Sequence, residues 1–281
     1  MIGDIVYLGG ELLEKNKAFI SPFDRGFQYG DSVYEVVPIV GGLPRSFDAA
    51  WRRLTFSAAS LSININLSKK SLAHIFAELI QLNNVGSGYV YLQISRGISE
   101  LRHKVEDSNA NTIFIYTNSH DLIKKIKSRK PLNVITCEES RWSGREIKCT
   151  NLIPNVLAKE MAYLEGADEA IFVSYGQVNE GASSSVFLVK NGILYSRTSD
   201  SDVLNGIRSD LINEIAGCLK YKIVDCVFSV DDLLMADEIF LTSATLGVAA
   251  VGKVDNVIIN GGIIGPHTKI FRNELIDRLS R

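Results

Sequence analysis

The chain has 281 residues, of which 46% are hydrophobic and 22% are charged, which is enough apolar material for one large domain or two smaller ones. The formal net charge of -2 leaves no basic excess, which argues against a protein that binds DNA or RNA. The first residues, Met-Ile-Gly-Asp, lack the basic region of a secretory signal, and no stretch approaches the ~18 apolar residues of a membrane span. We therefore expect a cytoplasmic protein with neither nucleic acid nor a membrane as partner.

The four cysteines, at positions 137, 149, 218 and 226, show neither a CxxC motif nor a paired ligand spacing. A structural zinc site or a disulfide framework requires such spacing. We therefore expect no metal site, and we expect the four cysteines to be buried thiols.

The first part of the chain alternates strand and helix patterns. Residues 34–40 are typical of a strand that ends at two glycines, and Asp48 then opens an Ala- and Leu-rich stretch that predicts a helix. Ser68 is a suitable cap for a second helix, whose apolar residues recur at helical spacing. Strict alternation over 88–95 predicts a strand, and 112–117 is predicted to pair with it.

The polar and basic segment between Asn118 and Pro131 is the best candidate for a domain linker. Beyond it, the predicted strands are 132–137, 169–174, 186–189, 222–227, 238–242 and 248–254, and the predicted helices are 153–165, 207–219 and 268–280. We predict a mixed α/β (α+β) protein with a smaller N-terminal α/β domain and a larger β-rich C-terminal domain with helices. The predicted boundaries are 1–118 for the first domain, 119–131 for the linker and 132–281 for the second domain, which would bind the cofactor.

Lys148 lies just before the predicted helix 153–165, where the scaffold can hold a side chain in place. A lysine amine is the group that forms an imine with the aldehyde of pyridoxal phosphate. A lysine considered alone is usually a solvated surface residue. Other groups along the chain must therefore support this interpretation.

Glu180 follows a predicted turn and precedes a Gly-Ala-Ser-Ser-Ser run and an apolar strand. A carboxylate that pairs with a pyridine nitrogen keeps this nitrogen protonated and makes the ring an electron sink. The alternative is a solvated turn glutamate whose neighbouring hydroxyls cap the loop backbone.

A phosphate site is indicated where Asn205-Gly206-Ile207-Arg208 enters a helix, because the NH groups at a helix N-terminus bind anions. Arg53 would add a charge-assisted bond from the first domain, and hydroxyls in 242–245 are further candidates. A plain helix cap is the alternative. With the lysine and the carboxylate, this site predicts pyridoxal 5'-phosphate as the cofactor.

The chain resembles the branched-chain and D-amino-acid aminotransferase family, which are pyridoxal phosphate enzymes of fold type IV, and within it the D-amino acid (D-alanine) transaminases above all. The motifs that carry the resemblance occur in order over nearly the whole chain. They are Asp24–Glu35, Arg52–Leu54, Tyr91–Gly97, Glu146–Glu160, Val178–Ser185 and Leu204–Arg208.

The resemblance implies that Lys148 forms the Schiff base and carries the 1,3-proton transfer, while Glu180 faces the pyridine nitrogen. The implied cofactor-binding residues are Lys148, Glu180, Arg53, Ser184, Ile207, Arg208, Ala244 and Thr245, and the implied substrate-binding residues are Tyr34, Arg102, His103 and Ser183. Arg141 matches an arginine near the cofactor, and Glu35 matches an active-site position. The resemblance also implies a homodimer whose active site lies at the domain junction, with a loop reaching in from the partner subunit.

Two sites depart from the pattern of the D-amino acid transaminases. In that group an arginine and a histidine two residues apart bind the substrate carboxylate, whereas this chain has Leu101 and His103 there, with Arg102 as a replacement only if the loop shifts by one residue. Arg208 and Ala244 stand where the group has phosphate-binding hydroxyl residues. The hydroxyls that remain to compensate are those of Thr242, Ser243 and Thr245.

We expect pyridoxal phosphate-dependent transamination of a D-amino acid, such as D-alanine, with a 2-oxo acid. The first alternative is a 4-amino-4-deoxychorismate lyase that releases pyruvate and 4-aminobenzoate, against which Glu35 argues because that subfamily has Phe-Thr-Thr in place of Tyr34-Glu35-Val36. The second is a branched-chain L-amino acid aminotransferase. A non-catalytic protein that only binds the cofactor would have little need of Glu180.

Overall fold

The computed structural model describes residues 1–100, 103–104, 110–197 and 201–281. Among these residues, no helix has both the length and the apolar character needed to cross a membrane.

The chain divides into two compact units, of which the first comprises Met1–Leu122 and Ile147–Asn151 and the second comprises Ile123–Glu146 and Leu152–Arg281. The short segment that carries Lys148 is therefore grouped with the first unit, although the sequence analysis assigned it to the domain 132–281. The division after Leu122 falls within a short helix inside the segment for which a linker was predicted.

The first unit contains a six-stranded antiparallel sheet with the strand order β2-β1-β6-β5-β3-β4. Its strands are β1 (Ile5–Leu8), β2 (Glu11–Glu14), β3 (Ser32–Val40), β4 (Leu43–Pro44), β5 (Ser87–Ser95) and β6 (Thr112–Ser119), and its helices are α1 (Arg25–Tyr29), α2 (Phe47–Ser60) and α3 (Lys69–Leu82).

The two faces of β5 differ as its alternating sequence predicts. Val90, Leu92 and Ile94 are buried, whereas Tyr91 and Gln93 on the opposite face are half-buried. α2 packs against β3, and α3 packs against β1 and β6. The predicted cap of α3 is also present, because the Ser68 side chain accepts a hydrogen bond from the Ser71 backbone NH at 3.0 Å.

The second unit contains a nine-stranded mixed sheet with the order β12-β11-β10-β13-β14-β7-β8-β9, to which β15 adds by pairing with β14. Its strands are β7 (Leu132–Glu138), β8 (Glu169–Ser174), β9 (Gln177–Gly181), β10 (Ser185–Lys190), β11 (Ile193–Ser196), β12 (Ile223–Asp225), β13 (Glu238–Ser243), β14 (Gly247–Val254) and β15 (Val257–Ile258). Its helices are α5 (Ile153–Leu164), α6 (Ile207–Cys218), α7 (Val230–Leu234) and α8 (Pro266–Ser280), while α4 (Leu122–Lys127) spans the division between the units.

Small residues allow α5 to lie close to this sheet. Ala158 and Ala162 of the helix pack in one buried cluster with Ala170 and Phe172 of β8 and with Ile135 of β7. A larger cluster fills the core around β13 and β14, where the central strands are apolar on both faces.

Two expectations about local structure need correction. Glu180 does not lie in a solvated turn region but in strand β9, which pairs with β8. The four cysteines are not all buried, since Cys149 is buried, Cys137 and Cys226 are partly exposed, and Cys218 is exposed.

Candidate active site

The backbone of Lys148 is held from two directions within the first unit. Its carbonyl accepts a hydrogen bond from the Tyr34 NH of β3 at 3.1 Å, and two residues later the Thr150 NH donates to the Ser32 carbonyl at 3.1 Å. Its own NH donates to Ser57 Oγ of α2 at 3.0 Å. The segment around Lys148 therefore pairs with β3 and is anchored to a helix, which fixes the origin of the lysine side chain.

The side chain of Lys148 lies over an aromatic ring. Its Nζ atom is 4.1 Å from the centroid of the Tyr34 ring, a distance at which a cation is attracted to the face of the ring. The Tyr34 ring in turn stacks on that of Tyr91, with 5.8 Å between the centroids. The predicted substrate residue Tyr34 is thus a direct neighbour of the lysine amine.

A chain of neutral hydrogen bonds links this tyrosine face to the lysine segment. Tyr91 Oη donates to Gln93 at 2.9 Å, Gln93 donates to Ser32 Oγ at 3.1 Å, and Ser32 Oγ lies 2.5 Å from Thr150 Oγ1. Burial and the neighbouring tyrosines raise the pKa of Tyr91, so its hydroxyl stays protonated at neutral pH.

Arg53 is held in a fixed orientation by a buried carboxylate. Its Nε and Nη2 atoms donate to the two oxygens of Glu35 at 2.7 and 2.8 Å, and the Glu35 side chain is only 1% exposed. A bidentate pair of this kind restricts the guanidinium plane. This places Glu35, which the sequence matched to an active-site position, in direct contact with the predicted phosphate arginine.

Glu180 is a buried carboxylate with two hydrogen-bond donors on one oxygen. Its Oε1 atom accepts from Arg141 Nη1 at 2.5 Å and from the Leu204 backbone NH at 3.0 Å. Both donors belong to the second unit, as does Glu180 itself. This arrangement stabilises the ionised form of the carboxylate and fixes one of its two oxygens.

Arg141 is shared between Glu180 and a second buried carboxylate, Glu139. Arg141 Nε and Nη2 donate to the two oxygens of Glu139 at 2.9 and 2.7 Å, and the Arg141 backbone NH also donates to Glu139. Burial by itself would raise the pKa of Glu139, but the hydrogen bonds from Arg141 and Asn179 lower it to about 2. Burial also opposes the charge of Arg141, yet bonds to both glutamates raise its pKa. All three groups are therefore charged at neutral pH.

The N-terminus of α6 offers a site for an anion. Gly206 is its N-cap residue and no side chain caps the helix, while a Cβ atom at Gly206 would lie 2.7 Å from Ser185 Oγ and 2.8 Å from Ser209 Oγ. The hydroxyls of Ser209 and Thr242 are buried and have no hydrogen-bond partner within the described part of the chain. Backbone NH groups, a glycine and buried hydroxyls are the groups that a phosphate requires.

The other predicted phosphate residues lie near this helix or in the turn after β13. Ile207 is the first residue of α6 and is half-buried, and Arg208 is buried. Ala244 and Thr245 lie in the turn between β13 and β14. Ser185 and Ser209 were not predicted from the sequence, and only the pairing of Ser185 with Thr242 across β10 and β13 indicates that their hydroxyls belong together.

The two predicted serines after β9 contact a different carboxylate. Ser183 Oγ donates to Glu169 at 2.7 Å and Ser184 Oγ donates to the same oxygen at 3.4 Å. Glu169 is 3% exposed and also lies 3.2 Å from Lys159 Nζ. The serine hydroxyls thus satisfy a buried glutamate.

The residues expected to bind the substrate carboxylate are only partly described. Leu101 and Arg102 lie outside the described residues, and His103 is described and exposed. The proposed exchange of roles between Leu101 and Arg102 therefore stays a prediction.

The fold is similar to that of solved aminotransferases. The structure of a branched-chain amino acid aminotransferase from T.th., solved with pyridoxamine 5'-phosphate, superposes with a TM-score of 0.92 at 24% identity, covering 99% of this chain and 94% of that chain. The Escherichia coli branched-chain amino acid aminotransferase superposes with a TM-score of 0.89 at 22% identity, covering 96% of this chain and 92% of that chain. The predicted two-domain fold type IV architecture is confirmed.

Sequence comparison identifies the family. The D-alanine aminotransferase of Listeria innocua serovar 6a is 32% identical over 278 residues, which are 98% of this chain and 96% of the relative. Residues 32–254 match the family model described as amino-transferase class IV. This range includes Lys148 and Glu180 as well as the N-terminus of α6, and the chain therefore belongs to the amino-transferase class IV family.

Proposed function

We propose that the protein is a pyridoxal 5'-phosphate-dependent aminotransferase that transfers the amino group of a D-amino acid, such as D-alanine, to a 2-oxo acid. The observation that carries the proposal is the buried Glu180 carboxylate, which is kept ionised by donors on one oxygen. Such a group is suited to a protonated pyridine nitrogen. The preference for a D-amino acid is supported by the identity to D-alanine aminotransferase over nearly the full length of both chains.

The residues present fit the cofactor. The anion site at the N-terminus of α6 has the donors for its phosphate, with Gly206, Ser209 and Thr242 as the candidate contacts. Arg53, oriented by Glu35, is a candidate for an additional charge-assisted bond. When bound, the cofactor supplies an aldehyde carbon that exchanges amino groups and a ring that withdraws electrons from the substrate Cα.

Lys148 is assigned two tasks, which are covalent attachment of the cofactor and removal of the proton from the substrate Cα. Its backbone is fixed by β3 and α2, so its Nζ atom moves only by rotation within the side chain. The Tyr34 ring at 4.1 Å gives the protonated amine a place to rest after it has accepted the proton. Tyr34 is thereby assigned to the lysine as well as to the substrate.

Glu180 is assigned to hold a proton at the ring nitrogen. The Leu204 NH and Arg141 fix one carboxylate oxygen, so the carboxylate has a defined orientation before the cofactor binds. A preorganised carboxylate does not have to reorganise while negative charge develops on the ring.

Recognition of the substrate carboxylate is assigned to Tyr34 with Arg102 and His103. A guanidinium and an imidazole provide charge-assisted donors for a carboxylate. His103 is exposed in the single chain, which is consistent with a residue that serves the site of a partner subunit.

We also propose a homodimer. α5 carries an apolar stripe that is exposed along its whole length, although exposed apolar patches on monomers are usually small. The residues of this stripe are Ile153, Val156, Leu157, Met161 and Leu164, which are between 47% and 75% exposed. A second copy of the chain, which shares this apolar surface, would cover it in a symmetric contact.

The proposal is tested by spectroscopy and assay of the purified protein with pyridoxal phosphate. We expect a visible absorption band that changes on addition of D-alanine but not of L-leucine, and covalent attachment at Lys148 that survives borohydride reduction. The Lys148→Ala variant is the control and is expected to show neither. Turnover by Lys148→Ala at the wild-type rate would contradict the mechanism.

The same preparation distinguishes the alternatives. Release of pyruvate from aminodeoxychorismate without a 2-oxo acid acceptor would identify a lyase instead. A spectral response to L-leucine with none to D-alanine would identify a branched-chain L-amino acid aminotransferase.

A further inference from the structure

Arg141 poses an electrostatic problem for Glu180. Its Nη1 atom donates to Glu180 Oε1 at 2.5 Å, and both side chains are less than 10% exposed. A guanidinium at this distance compensates the charge of the carboxylate, and burial weakens the screening by water. With Arg141 as its sole charged neighbour, Glu180 would have little net charge left to stabilise a second cation.

Glu139 removes this problem by binding the opposite edge of the same guanidinium. It accepts from Arg141 Nε and Nη2 and from the Arg141 backbone NH, and its side chain is 3% exposed. Two carboxylates and one guanidinium together carry one unit of negative charge. Arg141 also lies over the Phe172 ring at 4.5 Å, which holds the plane of the guanidinium between the two carboxylates.

Glu139 is anchored from its outer side as well. Asn179 Nδ2 donates to Glu139 Oε2 at 2.9 Å, and Asn179 Oδ1 accepts from Arg197 at 2.6 Å. Arg145 lies 3.5 Å from Glu139 Oε2, but its stronger bond, at 2.6 Å, is to Asp202, which also accepts from Arg197. The two outer arginines thus share the half-exposed Asp202, and Glu139 keeps its orientation towards Arg141.

We propose that Glu139 is a positioning residue for Glu180, which takes up the charge of Arg141 and thereby leaves the Glu180 carboxylate able to hold a proton on a bound pyridine nitrogen. The inference rests on the proposed function, because the pyridine ring is that of pyridoxal phosphate. It assigns Glu139 no contact with substrate or cofactor. Its effect passes through Arg141.

The test is Glu139→Gln in the holoenzyme reconstituted with pyridoxal phosphate that is isotope-labelled at the ring nitrogen. Glutamine keeps the size of the side chain and one oxygen for Arg141 but has no charge. We expect the nitrogen resonance to move downfield in NMR at neutral pH as the ring loses its proton, and the cofactor to bind about tenfold more weakly. A resonance that stays at the wild-type position would overturn the inference.

Glu238→Gln is the matched control. Glu238 is also a buried glutamate, 4% exposed, but it accepts from the His267 and Thr268 NH groups at the start of α8 and does not contact Arg141. We expect both variants to lower the melting temperature of the apoprotein, and only Glu139→Gln to move the nitrogen resonance. The same resonance shift in both variants would mean that general destabilisation is the cause and would overturn the inference.

The double variant Glu139→Gln/Arg141→Gln separates a charge effect from a structural one. Removal of both charges leaves Glu180 with its own negative charge, so we expect the ring nitrogen to be protonated again. A structural role of Glu139 instead predicts a double variant that is at least as defective as Glu139→Gln. Should Glu139→Gln not fold, Arg141→Gln carries the test, because there the nitrogen is expected to keep its proton to a higher pH than in the wild type.

The outcomes also distinguish this inference from the proposed function. A wild-type protein that takes up no pyridoxal phosphate would overturn the proposed function and the inference with it. A wild-type holoenzyme with a protonated ring nitrogen, together with an unchanged resonance in Glu139→Gln, overturns the inference alone.

Discussion

Single residues of the site differ in how much of their role their own chemistry explains. Lysine is the usual residue for attachment of an aldehyde cofactor, so Lys148 was a candidate from its type and its neighbours. Glu180 was a candidate because a carboxylate suits a protonated nitrogen. Neither residue type explains Glu139, whose role depends on contact with Arg141.

At Glu180 we predict that substitution by glutamine affects turnover more than cofactor binding. Glutamine cannot balance a positive charge on the ring nitrogen, but the phosphate contacts at the N-terminus of α6 are not altered. The measurements are kcat with D-alanine and, separately, the dissociation constant of pyridoxal phosphate. Losses of equal size in both quantities would argue against a role at the ring nitrogen.

The pKa of Glu139 predicts how stability depends on acid. Its value of about 2 lies below the ordinary value of 4.5, so the folded protein binds this proton less readily than the unfolded chain. The stabilisation is therefore complete above about pH 4.5 and is lost as the pH falls towards 2.

We expect Glu139→Gln to unfold more readily than the wild type at neutral pH, because Arg141 loses a charged partner. The difference in free energy of unfolding should shrink between about pH 4.5 and 2, where the wild-type carboxylate becomes neutral. Denaturant titrations of both apoproteins at several pH values measure it. A difference that does not vary with pH would show that the charge of Glu139 does not contribute.

At the scale of secondary-structure elements, the long amphipathic helices and the apolar strands were predictable, and β9 was not. Gln177–Gly181 contains Asn179 and Glu180, which are polar residues that are rare in strands. Both are buried because their side chains pair with Arg197 and Arg141. A strand that carries polar groups for a site thus has the composition of a turn.

The N-terminus of α6 yields a prediction about Gly206. Its φ of -77° is accessible to any residue, so alanine is not excluded by the backbone. The added Cβ would lie less than 3 Å from two hydroxyl oxygens and would displace them from the anion site. We expect Gly206→Ala to weaken pyridoxal phosphate binding by about tenfold, measured by titration of the apoprotein.

Gly217→Ala in the same helix is its control. A Cβ at Gly217 would meet no atom within 4 Å, and alanine in a helix is favoured over glycine by about 0.5–1 kcal/mol. We therefore expect higher stability and unchanged cofactor affinity. Equal affinity in Gly206→Ala and Gly217→Ala would show that the phosphate does not bind at this helix N-terminus.

At the scale of the whole molecule, the apolar stripe on α5 predicts self-association. We expect Leu157→Glu to shift the mass measured by light scattering from two chains to one, since a buried charge without a partner would destabilise the interface. Leu157 is 62% exposed in the single chain, so its substitution leaves the core intact.

Leu82→Glu provides the comparison for this substitution. Leu82 is 53% exposed and ends α3, so the same change is made at a similarly exposed helical leucine outside the stripe. Its mass is expected to stay that of two chains. Dissociation by both substitutions, or by neither, would contradict a dimer that forms through α5.

The amino-acid sequence by itself determined the mixed two-domain fold, most helices and strands, and the residue types of a pyridoxal phosphate site. Hydrophobic periodicity and local motifs report on neighbours along the chain, which is why these features could be predicted. Only the tertiary structure decided that the Lys148 segment pairs with β3, that Ser185 and Ser209 flank Gly206, and that Glu139 binds Arg141 opposite Glu180. Arg141 and Glu180 are 39 positions apart, and no local pattern states which of many charged residues will meet once the strands are paired.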